Sequence, residues 1–111
     1  MIINDVELEY DAFDVGMVER TEKAYENLRD FDFDSENGDI KKLRSACQAL
    51  FDFFDTIFGD GTAKKIFGDK VSFALCVDAL ETFENQHAEQ ISQLKKKSER
   101  IIQSRNSRNQ T

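Results

Sequence analysis

From Ile40 to Ile57 apolar residues return at alternating spacings of three and four, as Ile40, Leu43, Cys47, Leu50, Phe54 and Ile57, and the row then meets Gly59-Asp60-Gly61. That period lays the row along one side of an α-helix, and a glycine just past the end lets the chain leave through positive φ without Cβ strain. Ala46, Phe51 and Phe58 widen the row. The spacing predicts a helix over about 39–58 that forms the centre of the core.

The rest of the chain agrees with a mainly α fold. Average usage supplies roughly 5% proline, yet the 111 residues contain none, and the charged residues, 33% of the total, interleave with apolar ones at helical spacing. A chain of this length holds one domain around one core. Val18, Tyr25 and Leu28, with Met17, Ala24 and Phe31 beside them, predict a first helix over about 15–31, capped by Asp14. Asn37 or Ser35 can cap the second helix, and Asp39 lies where the helix dipole favours a carboxylate.

Gly59 and Gly61 then form a turn, Thr62 caps one short turn of helix over 63–67, and Gly68 ends it. Ser72 starts a last helix with Phe73, Cys76, Val77, Leu80 and Phe83 on its apolar face. Residues 2–9 alternate loosely, with Val6, Leu8 and Tyr10 on one side, as in a short strand or an ordered arm. The expected architecture is a small bundle of three main helices plus one short helical turn.

Beyond Phe83 the apolar stripe thins to His87, Ile91, Leu94, Ser98 and Ile101, a heptad-like row. A helix through about residue 103 is on the order of 45–50 Å long, more than a three-helix core can cover. The second half of this long C-terminal helix must therefore project, pair with another chain or fray, and the polar stretch 103–111 is expected to be disordered. Residues 1–94 form the expected helical domain and 95–111 a basic extension and tail. Phe53, well off the main stripe of the second helix, joins His87, Ile91, Leu94 and Ile101 as a candidate partner-binding residue.

Charge is unevenly spread. The net charge of −7 divides into −12 over residues 1–94 and +5 over 95–111, where Lys95, Lys96, Lys97, Arg100, Arg105 and Arg108 face Glu99 alone. The overall sign argues against nonspecific affinity for DNA or RNA. A basic tail on an acidic body can instead fold back, reach the body of another copy in a homo-oligomer, or stay solvated. No apolar run approaches the roughly 20 residues that span a bilayer, and no N-terminal basic-plus-apolar signal is present. Cys47 and Cys76 sit among apolar neighbours, as buried free thiols do, so a soluble protein of a reducing compartment is expected.

Motifs for chemistry fail on their own requirements. An EF-hand loop beginning at Asp30, through Asp32, Asp34 and Glu36, needs glycine sixth and glutamate twelfth, where the chain has Ser35 and Lys41. Gly59-Asp-Gly-Thr with Lys64 and Lys65 lacks the spacing of a phosphate loop and a preceding strand. Zinc on Cys47, Cys76 and His87 lacks a fourth ligand. The expectation is a noncatalytic protein without cofactor or metal, in which Gly59, Gly61 and Gly68 are turn residues.

The run Cys47-Gln-Ala-Leu-Phe-Asp-Phe-Phe-Asp-Thr-Ile-Phe-Gly-Asp-Gly-Thr-Ala-Lys-Lys-Ile-Phe-Gly68, followed by Lys70 and Cys76-Val-Asp-Ala-Leu-Glu-Thr-Phe83, resembles small proteins of Gram-positive phage and prophage tail gene clusters. Those proteins are similar to tail assembly chaperones. The resemblance covers about 47–85, more loosely back to Phe13, and its centre is Gly-x-Gly-Thr-Ala-x-x-Ile-Phe-Gly. It implies a helical, often self-associating protein of the bacterial host cytoplasm that holds the tape measure or tail tube protein during virion assembly.

Overall fold

Short polar side chains set the starts of the helices. The computed structural model describes residues 1–31 and 39–108. Helix α1 spans Val15–Arg29, and the Asp14 carboxylate accepts from the Met17 N–H at 2.9 Å. Helix α2 spans Ile40–Phe58, with Asp39 accepting from the Lys41 N–H at 2.9 Å. Each aspartate satisfies a donor that the first helical turn leaves unpaired. Asn37 and Ser35, the caps expected for α2, lie outside the described residues. Helix α3 spans Thr62–Phe67 and α4 spans Phe73–Arg108. The Ser72 hydroxyl accepts from the Leu75 N–H at 3.3 Å, so α4 begins where the sequence predicts.

The three turn glycines all take positive φ: +111° at Gly59, +91° at Gly61 and +63° at Gly68. Gly61 is left-handed, the conformation that costs an L-residue roughly 1–2 kcal/mol. The cap of α3 differs from expectation. Thr62 turns its hydroxyl back to donate to the Gly59 carbonyl at 2.7 Å, while the Asp55 carboxylate, from the last turns of α2, accepts from the Ala63 N–H at 2.8 Å. A side chain already fixed on α2 thus pins the start of α3, and the tight two-helix corner follows.

The N-terminal residues fold into a hairpin rather than one extended arm. Strands β1 (Ile2–Ile3) and β2 (Val6–Glu7) pair antiparallel, and Asn4 and Asp5 turn between them at φ +49° and +66°. Both central residues at positive φ make the type of two-residue turn that matches strand twist, and Asn and Asp tolerate it best after glycine. The turn drives Ile3 fully into the core.

The core gathers Ile3, Leu50, Phe53, Phe54, Ile57, Ile66, Phe67 and Phe83, with Ala24 from α1 and the two thiols. Phe53 is 1% exposed and is not a surface residue. Its ring meets Tyr25 of α1 at 5.0 Å, Phe54 at 5.3 Å and Phe83 of α4 at 5.6 Å, all edge to face. Helix α2 is packed by α1, α3 and α4 together, so it buries more than the one stripe seen in its sequence. On α4 the buried face is Cys76, Ala79 and Phe83, and Val77 is exposed.

Burial raises two titrating groups to about 12. The Cys76 thiol is pushed from 9.0 up to about 12 by burial and then by the neighbouring Cys47. The Tyr25 hydroxyl rises from 10.0 to about 12, again by burial first, then by the Glu84 charge and Tyr10. The folded chain keeps protons that the unfolded chain releases, so this stabilisation is complete below about pH 9 and declines as pH rises towards 12. Urea midpoints should fall over that window, and the two thiols should resist a thiol reagent near neutral pH until the protein unfolds. Flat midpoints with rapidly reacting thiols are the contrary result.

Helix α4 runs for 36 residues, about 54 Å at 1.5 Å per residue. It carries the molecule to 69 × 26 × 21 Å and a radius of gyration of 18.1 Å, against roughly 13 Å for a globule of about 100 residues. The helix continues through Arg108, beyond the limit near residue 103 expected from the sequence. No glycine or proline interrupts it after Phe73, so nothing forces an earlier end. No described helix is long and apolar enough to cross a membrane.

Candidate partner-binding surface

Two glutamines one helical turn apart fasten the N-terminal arm to α4. Gln86 accepts from the Ile2 N–H at 3.0 Å and donates to the Ile2 carbonyl at 2.6 Å. Gln90 accepts from the Ala12 N–H at 2.8 Å and donates to the Tyr10 carbonyl at 3.0 Å. Each carboxamide pairs with backbone as a neighbouring strand does, which satisfies groups that an irregular segment leaves open. At the other end of the hairpin the Asn4 amide donates to the Ile66 carbonyl at 2.6 Å. None of these residues announces itself in sequence, because their partners lie more than 60 positions away.

Between the two glutamine clamps, His87 is half-buried. Its Nδ1 lies 2.6 Å from the Tyr10 hydroxyl, and its ring stacks on Phe83 at 22°. The Tyr10 hydroxyl and His87 Nδ1 share this hydrogen bond, its donor set by the imidazole tautomer, and burial pushes the Tyr10 hydroxyl up. His87 therefore contributes to anchoring the arm as well as to the α4 row.

The candidates separate clearly in space. Phe53 is enclosed on α2, away from solvent. Ile91, Leu94 and Ile101 share one face of α4 and are 42%, 40% and 62% exposed. Every residue from 91 to 106 is exposed. Ile102, 56% exposed, adds apolar surface beside the row and was missed because it breaks the heptad spacing. Gly59, Gly61 and Gly68 lie at the α2–α3 corner and the end of α3, where they shape the chain.

At the base of the projecting row an open groove of about 650 Å³ runs between α1 and α4. Val18, Tyr25 and Ile91 supply apolar wall, Glu22 and Glu26 supply negative charge, and His87 lines the side next to the arm. The Glu84 charge also acts on Tyr25, so the field there is acidic despite Arg29. The groove and the row are continuous through Ile91. An amphipathic helix with cations at one end suits such a surface.

The DUF6673 profile, described as a family of unknown function, matches residues 4–111. The chain belongs to that family. The DUF6673 match takes in all four helices, Gln86, Gln90 and the projecting row, and begins just after β1. No curated protein and no solved structure matches the chain.

Proposed function

We propose that the protein is a noncatalytic assembly factor that holds a partner polypeptide on the projecting half of α4, in the manner of a phage tail assembly chaperone. The observation that carries this reading is the exposed apolar row Ile91, Leu94 and Ile101 on a helix that extends far beyond its own core. Apolar side chains at that period, left open to water along several turns, are the form of a helix-pairing surface. The resemblance of residues 47–85 to tail-cluster proteins supports the partner class: the tape measure protein or the tail tube protein, met in the cytoplasm of the bacterial host.

Co-expression with the tape measure and tail tube proteins of a phage carrying this gene, followed by affinity capture, tests the proposal. The expected result is a stable complex with one of them, lost when Leu94 and Ile101 are both changed to glutamate while the helical content is unchanged. Failure of the folded wild type to capture either protein overturns it.

A further inference from the structure

The chain carries its own complement to the acidic groove. Among the described residues the one ion pair is Lys64–Asp69 at 3.7 Å on the surface, so Lys95, Lys96, Lys97, Arg100 and Arg105 have no carboxylate partner within the described part of their own copy. All five are exposed. They share a helix with Ile101 and Ile102, which gives this segment the basic and amphipathic character that the groove suits.

We propose that two copies pair through antiparallel α4 helices, each bringing Arg105 of its basic segment to the acidic groove between α1 and α4 of the other. This inference goes beyond the chaperone reading and stands without it. The axial match supports it. With the twofold axis beside Lys96, residues equally far from the axis oppose each other, so Ile91 of one copy meets Ile101 of the other and Leu94 meets Ser98. The same register brings Arg105 level with His87, at the groove that holds Glu22 and Glu26.

Charge selects the direction. A parallel pair places both basic segments side by side and both bodies, each −12, at the same end. The antiparallel pair moves Arg105, on the face of the row, to the acidic half of the partner helix, and Arg100, on the outer side of the same helix, adds positive charge near it. Lys95 and Lys97 stay near their symmetry mates beside the axis, where long stems let the ammonium groups remain in water.

Sedimentation analysis of the full chain tests the pairing through charge reversal. Wild type should show twice the 12.8 kDa of one chain. Glu22→Lys with Glu26→Lys in one variant, and Arg100→Glu with Arg105→Glu in another, should each weaken self-association by roughly tenfold or more. An equimolar mixture should recover the dimer, since each variant groove then meets a tail of opposite sign. All these positions are exposed, and circular dichroism should show unchanged helix content. A wild-type monomer at about 100 μM, reversals without effect, or a mixture that fails to recover each overturns the proposal.

Discussion

Replacing Phe83 by alanine is expected to destabilise the protein by about 3–5 kcal/mol. Phe83 is 1% exposed, and its ring lies 5.1 Å from Tyr10, 5.6 Å from Phe53, 6.1 Å from Phe58 and 6.5 Å from Phe54. It also stacks on His87. Truncation leaves a void where α2, α4 and the arm meet, and no single neighbour can fill it without leaving the others. For a domain whose total stability is on the order of 5–15 kcal/mol, that is a large share. The urea midpoint should fall by roughly 2–3 M with little change in slope. A midpoint close to wild type is the result that removes Phe83 from the core.

Phe53→Ala carries the second large effect, also about 3–5 kcal/mol. A Phe53 standing on an exposed interface predicts a change within roughly 0.5 kcal/mol on truncation, together with weakened partner capture. The packing of Phe53 against Tyr25 and Phe83 predicts the reverse: a large loss of stability. Thermal or urea unfolding of the one variant separates the two placements. The expected loss includes the edge-to-face contacts with three rings as well as the buried area.

Phe53 also shows where sequence periodicity stops being informative. A single stripe is the signature of a helix with neighbours on one side. Helix α2 packs against α1, α3 and α4, so Phe53, one position before Phe54, meets α1 and is as deeply buried as Leu50, Phe54 and Ile57, while Ile40 at the start of the stripe is exposed. The thinning row on α4 was legible for the opposite reason. No described residue covers that half of the helix, and Ile91, Leu94 and Ile101 are exposed on the face that their spacing predicts. The groove beside it was not legible, since its walls come from α1, α4 and the segment after the hairpin.

The two proposals place a partner helix and a second copy on the same α4 row and so predict competition between them. The charge-reversal mixture reads self-pairing in the absence of any partner, so the two ideas stand or fall separately.

Local chemistry in the sequence determined the helical class, the starts of α1 and α4 and the glycine turns. Asp14, Ser72 and the glycines at 59, 61 and 68 act within a few residues of themselves, through caps and backbone conformation. Asp39, marked by sequence only as favourable to the helix dipole, proves to be the cap of α2. Tertiary structure alone decided the hairpin's seat, the burial of Phe53 and the groove. Gln86 and Gln90 hold backbone from the first twelve residues, and Asp55 caps a helix other than its own. Such contacts depend on which elements lie side by side, a relation that no periodicity along one segment encodes.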